Sequence, residues 1–286
     1  MLKKIFFFIA LVFLSAAIVQ AQVTTSGITG TVKGSEGSAL SGATIKATHT
    51  PSGSEYSTAT SSSGVFSLQG LRTGGPYTVE ISYVGFPKKT VNEIYLILGE
   101  SFVINETLGQ EAQQLEGVVV TTAGGSRLNR NKTGASTNIS TQQINTLPTI
   151  NRSITDFTRL TPQSNGNSFA GRDGRYNNVQ VDGANFNNGF GLNDNPLPGG
   201  GGLSIDAIEE IQVNIAPYDV RQGGFTGAGI NAVTRSGTNK FQGSVYHFFR
   251  NEGLLGRKVN GEKISGLQES STKTWGARLG GPIIRN

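Results

Sequence analysis

The stretch that decides the fold of one region reads Arg175-Tyr176-Asn177-Asn178-Val179-Gln180-Val181-Asp182-Gly183. Its alternating apolar residues and the Asp-Gly pair at its end predict a short strand followed by a tight turn. Two related stretches follow, Ile208-Glu209-Glu210-Ile211-Gln212-Val213 and Gly227-Ala228-Gly229-Ile230-Asn231-Ala232-Val233-Thr234-Arg235-Ser236-Gly237. Strands are also predicted within these two, because polar and apolar residues alternate from Glu210 to Ile215 and Ile230 to Thr234 is rich in β-branched residues.

One short helix is predicted before the first of these strands. Ser153 begins a Ser-x-x-Asp capping pattern with Asp156. Ile154, Phe157 and Leu160 then share one helical face. Helices between strands indicate an α+β module.

A second helix is predicted just before the Glu210 strand. Ser204 can cap a helix through Glu209, with Ile205 and Ile208 turned inward. The alternation that follows puts the remaining apolar side chains on one strand face, namely Ile211, Val213 and Ile215.

Order and spacing of the three stretches resemble the plug domain of TonB-dependent outer-membrane receptors. Within that family, Thr149 to Asn167, Phe169-Ala170-Gly171-Arg172 and Asn214 to Gly229 are most similar to the Oar-like receptors. The resemblance implies a plug over residues 126–236, with motif positions Arg175, Asn178, Asp182, Gly183, Glu210, Gly229, Asn231 and Thr234. Gln212 departs from the pattern, because many plugs carry Glu at this position.

A competing interpretation concerns Gly227 to Ala232, which formally match the dinucleotide pattern G-x-G-x-x-A. That loop has to open a helix, whereas Ile230 to Thr234 is rich in β-branched residues. Gly199 to Gly202 lacks the Lys-Ser/Thr of a P-loop, and Asn193 to Asn195 offers too few ligands for calcium. We therefore expect mobile loops and turns here, with no cofactor and no metal ion.

Residues 22–110 are predicted to form a small antiparallel β-sandwich, because short β-rich runs alternate with turns and show no helical period. In the clearest run, Thr78, Glu80 and Ser82 interleave with apolar neighbours. The predicted strands are Ile28 to Val32, Ala43 to Ala47, Tyr56 to Ala59, Gly64 to Leu68, Tyr77 to Val84 and Glu93 to Leu98.

This first module resembles the carboxypeptidase regulatory-like domain, which implies a transthyretin-like sandwich. The resemblance is carried by Gly30-Thr31-Val32, Gly37, Leu40-Ser41-Gly42-Ala43, Gly64-Val65-Phe66, Leu71 and Tyr77. Catalytic zinc needs three converging protein ligands. His49 and His247 are the only 2 histidines and fall in different predicted modules. We therefore expect them to be structural or solvent-facing.

A short apolar run lies in the predicted linker of residues 111–125 and reads Leu115-Glu116-Gly117-Val118-Val119-Val120-Thr121-Thr122. An isolated β-branched run is typical of a strand that pairs with another protein's edge. The run resembles the TonB box, the segment that TonB binds by strand addition. The alternative is that it forms the last strand of the preceding sandwich.

The N-terminus predicts export. Lys3 and Lys4 precede the apolar run Ile5 to Val19, and Val19-Gln20-Ala21 forms a small-residue cleavage pattern. Residues 1–21 are therefore predicted to be a signal peptide, with the mature chain beginning at Gln22. The net charge of +5 is scattered along the chain, so nucleic acid is not an expected partner.

Residues 237–286 are predicted to begin a transmembrane β-barrel. Phe241 to Arg250 has the length of a tilted transmembrane strand, roughly 9 to 11 residues. In this segment Phe241, Val245 and Phe249 lie on the side opposite Gln242, Ser244 and Arg250. The same alternation returns in a second segment, where Trp275, Ala277 and Leu279 lie opposite Thr274, Gly276 and Arg278. Alternating apolar and polar side chains are typical of transmembrane barrel strands. Two strands cannot close a barrel, so we expect the reading frame to continue beyond Asn286.

The multidomain arrangement implies a TonB-dependent receptor of a Gram-negative outer membrane. The resemblance implies energy-coupled uptake or surface binding of a ligand such as a carbohydrate or a peptide, with TonB and outer-membrane lipid as partners. The first module and the Leu115 to Thr122 run are expected in the periplasm, and Asn185 to Gly202 is the predicted ligand-facing loop.

The alternative function is that of a secreted or surface carbohydrate-binding adhesion protein. An enzyme is not expected, because no acid, base, nucleophile and metal groups converge.

Overall fold

Strands make up most of the secondary structure in the computed structural model of the chain. The structure describes residues 23–109, 134–149, 152–187, 203–219, 222–254, 258–260, 262–263 and 271–284. Buried apolar side chains in these ranges gather in two separate cores. A long two-stranded hairpin follows the second core along the chain.

Seven strands build the first module: β1 (Ser26–Gly34), β2 (Thr44–His49), β3 (Ser54–Ala59), β4 (Val65–Leu71), β5 (Gly74–Ser82), β6 (Lys89–Leu96) and β7 (Ser101–Leu108). They form two sheets, with strand orders β4-β1-β7 and β3-β2-β5-β6. Both sheets contribute side chains to one apolar core. Two sheets that share a core are the sandwich that the sequence predicts.

Alternation along β5 shows how the sequence builds this core. Tyr77, Val79 and Ile81 are fully buried, while Thr78 and Glu80 are only half-buried. The Tyr77 hydroxyl donates a hydrogen bond of 2.9 Å to the backbone oxygen of Arg72, which satisfies its polar end inside the core. The predicted alternation is therefore confirmed.

β7 is the part of the sandwich that the sequence analysis missed. The predicted strands end at Leu98, whereas β7 follows that residue and pairs with β1 in parallel, from Gly27 opposite Ser101 onward. The prediction of a purely antiparallel sandwich is therefore wrong for this pair. Only Ile104 and Leu108 of β7 are buried hydrophobic residues, so its alternation is weak, and its direction depends on a strand far away in the sequence.

A mixed five-stranded sheet and short helices form the second module, which is α+β as predicted. The elements are β8 (Ala135–Ser140), α-helices Thr141–Thr146 and Ile154–Thr158, β9 (Ser164–Asn165), β10 (Ser168–Phe169), a 3-10 turn Gly174–Tyr176, β11 (Asn178–Val181), β12 (Ala184–Asn185), a 3-10 turn Ile205–Ala207, β13 (Ile208–Ala216) and β14 (Gly229–Thr234). The strand order is β12-β11-β14-β13-β8. β11 and β14 run in parallel, and the other neighbours are antiparallel.

The predicted cap of the helix Ile154–Thr158 forms. The backbone N-H of Ser153 donates to the carboxylate of Asp156, with an N to Oδ2 distance of 3.4 Å. Ile154 and Phe157 are buried. Leu160 does not share that buried face, because the helix has ended at Thr158 and the side chain of Leu160 is 40% exposed.

The second predicted helix is shorter than expected. It is a single 3-10 turn, Ile205–Ala207, and Ser204 makes no side-chain capping bond there. Glu209 lies in β13 rather than in a helix. Ile205 and Ile208 are buried as predicted, since a single turn suffices to direct both side chains into the core.

β14 bears on the dinucleotide interpretation. The residues after Gly229 form a strand and not the helix that a pyrophosphate site requires. Val179 of β11 and Ile230 of β14 are opposite each other and both are buried. The stretch therefore fills the middle of the sheet.

The hairpin pairs β15 (Gln242–Asn251) with β18 (Ser271–Gly280) in antiparallel register over all ten residues. Between them lie a 3-10 turn, Glu252–Leu254, and the two short strands β16 (Lys258–Val259) and β17 (Glu262–Lys263). The predicted alternation is confirmed, because one face exposes its large apolar side chains, namely Val245, Phe249, Trp275 and Leu279.

Several predicted features lie outside the described residues. They are the signal peptide of residues 1–21, the Leu115 to Thr122 run, the Asn193 to Asn195 turn, and the Gly199 to Gly202 loop. Only Asn185 to Asn187 of the predicted ligand-facing loop is described. Within the described ranges, no helix is long and apolar enough to cross a membrane.

Candidate functional site

The polar face of β13 is buried against the sandwich. Alternation predicts that Ile211 and Val213 face a core, and both are fully buried. On the opposite face, Glu210, Gln212 and Asn214 are only 5%, 3% and 3% exposed. No local pattern indicates this second contact, because polar residues at alternate positions ordinarily face solvent.

The loop between β6 and β7 supplies the partner groups for this face. The backbone N-H of Leu98 donates to Oε2 of Glu210 at 3.1 Å. The amide of Gln212 donates to the backbone oxygen of Leu98 at 2.7 Å and accepts from Asn214 Nδ2 at 2.9 Å. We call these contacts of Leu98 with Glu210 and Gln212 the docking contact.

The docking contact gives a physical reason for the departure at position 212. Leu98 O is an acceptor, so its partner has to donate a proton. The Gln212 amide can donate, whereas an ionised Glu at this position would bring two acceptors together. The side chain at 212 is thus matched to the sandwich that lies on it.

The next residues of the same loop extend the contact. Glu100 Oε1 accepts a hydrogen bond from Asn138 Nδ2 on β8 at 3.0 Å. Gly99 has a positive φ of 71°, and a Cβ there would lie 2.9 Å from Val23 Cγ1 and 3.2 Å from the Gln212 amide. A side chain at position 99 would crowd Val23 and Gln212 and would be strained at this φ, so glycine suits the close approach of the loop to the sheet.

Burial raises the pKa of Glu210 from 4.5 to about 8. The Leu98 N-H opposes this shift, and the nearby carboxyls of Glu100 and Glu209 add to it. A carboxyl with this pKa is mostly protonated at neutral pH. The docking contact therefore contains a group whose charge state changes in the mildly alkaline range.

The Asp182-Gly183 turn joins β11 to β12 as predicted. Both residues have positive φ, 46° and 84°, which suits a tight hairpin turn. The Asp182 carboxylate also accepts from the backbone N-H of Thr234 at 2.8 Å and from its hydroxyl at 2.6 Å. Asp182 therefore links the turn to the end of β14.

Asn178 and Gly229 are paired where β11 and β14 begin. Asn178 Nδ2 donates to Gly223 O at 3.2 Å, and its Oδ1 accepts from Asn187 Nδ2 at 2.8 Å. A Cβ on Gly229 would lie 2.6 Å from the ring of Phe225. These two positions hold the loop before β14 against the sheet.

The structure brings most of the predicted motif residues into one sheet. Asn178, Asp182 and Gly183 belong to β11 and its turn, and Gly229, Asn231 and Thr234 belong to β14. Glu210 lies on the adjacent strand, β13. Arg175 lies apart from this group in the turn before β11, where its Nε is 3.0 Å from Oδ1 of Asp173.

The inner face of the hairpin contacts the second module through a residue that the sequence analysis did not single out. The guanidinium of Arg152 lies 4.5 Å from the ring centre of Tyr246 and 4.9 Å from that of Phe248. Its Nη2 is 2.8 Å from Oδ1 of Asp206. Ser204 and Tyr246 hydroxyls are 3.1 Å apart. The contact spans nearly a hundred residues, so no local pattern reports it.

The two histidines take separate places, as predicted. His49 is buried, its Nδ1 lies 2.6 Å from the Ser52 hydroxyl, and its ring packs on Tyr77 at 4.8 Å. Burial lowers the pKa of His49. His247 is on the exposed face of β15. No group of His, Cys, Asp and Glu within the described residues is arranged to hold a metal ion.

Two protein families match parts of the chain. Residues 27–131 match the carboxypeptidase regulatory-like domain, and residues 233–286 match an outer membrane beta barrel domain. The first match contains the sandwich and continues through the Leu115 to Thr122 run. The second contains the whole hairpin of β15 and β18.

A curated relative and solved structures add to this comparison. The TonB-dependent transporter Oar of Myxococcus xanthus is 32% identical over 145 residues, which is 47% of this chain but only 13% of that protein. The siderophore receptor PirA of Pseudomonas aeruginosa has a TM-score of 0.38 at 18% identity and covers 54% of this chain and 26% of its own. A hydroxyquinol 1,2-dioxygenase of Pseudomonas putida has a TM-score of 0.26 at 10% identity, with coverage of 32% and 58%. At these TM-scores neither structural likeness bears on function.

Proposed function

We propose that the chain is part of a TonB-dependent outer-membrane receptor and that it serves energy-coupled uptake or surface binding of a ligand across the outer membrane. The observation that carries this proposal is the co-occurrence of a barrel-domain match, a regulatory-like domain match and an Oar relative in one chain. These matches point to a transporter or receptor and not to an enzyme.

The second module is, in this proposal, the plug. Arg152, just before the helix Ile154–Thr158 of this module, contacts the rings of Tyr246 and Phe248 on the hairpin. A plug has to rest against the inside of its barrel, and a cation over aromatic rings contributes about 0.5 to 2 kcal/mol to such a contact. The exposed apolar face of the same hairpin then meets lipid.

TonB is the proposed partner of the Leu115 to Thr122 run. That run follows the sandwich and precedes the second module along the chain. Strand addition depends on main-chain N-H and C=O groups, so the partner needs no particular side chains. In this arrangement the sandwich and the run face the periplasm, and the ligand, a carbohydrate or a peptide, enters from the other side near Asn185 to Gly202.

The test is a proline at the centre of the run in the complete receptor. Val119→Pro removes a backbone donor and fixes φ, so TonB binding in a pull-down and ligand uptake are expected to fall to background. Surface ligand binding is expected to persist. Gln113→Pro, in the polar linker just before the run, is the matched control and is expected to retain uptake.

Uptake that survives Val119→Pro would contradict the coupling role and favour the run as a closing strand of the sandwich. Loss of the protein from the outer membrane would place Val119 in a folded core. A secreted adhesion protein remains the alternative function, and the match of residues 233–286 to an outer-membrane barrel domain argues against it.

A further inference from the structure

A pocket of about 230 Å³ lies where the sandwich, the second module and the hairpin meet. The sandwich contributes Arg72, the second module contributes Glu209 and Arg235, and the hairpin contributes Arg278. All three structural units therefore contribute an arginine to the lining of one pocket, although these residues are far apart in the sequence.

The positive charge in this pocket is only partly neutralised by the described residues. None of the three guanidiniums forms an ion pair within the described part of the chain. Glu209 is the single carboxylate that lines the pocket, and its Oε1 lies against Gly74, where a Cβ would be 3.1 Å away. Three cations against one anion leave a net charge of about +2.

Hydrogen-bonding groups in the pocket are also left over. Nε of Arg278 is buried and has no hydrogen-bond partner among the described residues. Arg235 uses its Nε to donate to Ile208 O at 3.1 Å, and its two terminal nitrogens remain available as donors. Residues that carry hydroxyl groups line the same pocket, namely Thr24, Thr25, Thr73 and Ser236.

The cations also affect one another. Burial lowers the pKa of Arg235; the Glu209 and Asp206 carboxylates oppose this shift, and the neighbouring Arg278 adds to it. Gathering like charges in a partly buried place is unfavourable unless an anion joins them. The pocket therefore has the charge, the donors and the volume of an anion site.

We infer that this pocket binds a small tetrahedral oxyanion, inorganic phosphate or a phosphomonoester. Guanidinium forks match phosphate oxygens with paired, charge-assisted hydrogen bonds. Three forks that approach from three structural units suit a tetrahedral dianion better than a planar carboxylate, which offers two oxygens. Bound anion would also join the sandwich, the second module and the hairpin, and so stabilise their arrangement.

The experiment measures phosphate binding to the complete receptor in detergent at low salt, by isothermal titration. Inorganic phosphate and glycerol 3-phosphate separate the two sources, and acetate tests a carboxylate. Saturable binding of at least one phosphate ligand, more than tenfold tighter than acetate, is expected. Arg278→Gln is expected to weaken it at least tenfold. Arg159→Gln is the matched control, because Arg159 is exposed and does not line the pocket.

Arg72→Gln is a second variant, which tests the pocket even if Arg278→Gln misfolds. No hydrogen bond holds the Arg72 guanidinium among the described residues, so this substitution is not expected to disturb the fold. It is expected to weaken phosphate binding at least tenfold with unchanged thermal unfolding. Absence of saturable binding, binding that neither variant weakens, or equal affinity for acetate would each overturn the inference. A carboxylate of the receptor's own chain seated in the pocket would overturn it as well.

Discussion

β5 of the sandwich and β18 of the hairpin have the same kind of sequence and opposite surroundings. Tyr77, Val79 and Ile81 alternate with polar residues in β5 and are 0% exposed. Trp275 and Leu279 alternate with polar residues in β18 and are 78% and 82% exposed. Alternation therefore predicts a strand with two unlike faces, but it does not predict whether protein or lipid covers the apolar face.

Alanine substitutions at matched positions sharpen that comparison and carry the largest expected effect. Ile81→Ala leaves a cavity between the two sheets and is expected to lower the free energy of unfolding by about 2 to 5 kcal/mol. Leu279→Ala leaves no cavity, so less than half of that loss is expected. Hydrogen exchange of the β5 and β18 amides measures both. Equal losses would show that the apolar face of the hairpin is packed against protein.

β13 offers a second comparison, within a single strand. Its apolar face packs into the core of the second module, and its polar face forms the docking contact with the sandwich. The first face is held by apolar burial, which does not depend on pH. The second depends on Glu210, whose carboxyl is neutral only below its raised pKa.

Raising the pH is therefore expected to weaken the docking contact. The folded-state pKa of Glu210, about 8, lies above its ordinary value of 4.5. The stabilisation is thus fully present below pH 4.5 and is lost as the pH rises through about 8. The shift corresponds to at most about 5 kcal/mol. Amide exchange at Leu98, compared between pH 6 and pH 9, measures the loss.

Glu210→Gln is the matched control for this pH dependence. Gln keeps an acceptor for the Leu98 N-H and carries no titrating group. Protection of Leu98 in this variant is expected to be independent of pH after correction for intrinsic exchange, while the wild type loses protection. A pH-dependent loss that persists in Glu210→Gln would assign it to another group.

The sequence predicted the features that depend on neighbouring residues. The Ser153 cap, the Asp182-Gly183 turn and the alternation of β5 all arise within a few residues, and all are present. The docking contact joins residues 112 positions apart, so no local pattern can report it. The parallel direction of β7 was missed for the same reason, since it depends on where β1 already lies.

Asp182→Ala is expected to have the smallest effect and tests whether a locally predicted residue acts only locally. Alanine removes both hydrogen bonds to Thr234 and is strained at the positive φ of 46°. A loss of about 1 to 2 kcal/mol in local stability is expected, measured as faster amide exchange at Thr234.

Asp182→Asn is expected to recover most of this stability, because Asn tolerates positive φ and still offers an oxygen to the Thr234 N-H. Leu98 protection is expected to stay unchanged in both variants, since Asp182 does not contact the sandwich. If Asp182→Asn does not recover the lost stability, the charge of Asp182 stabilises the end of β14 and the turn geometry does not. If Leu98 also loses protection, the turn and the docking contact are coupled through β14 and β13.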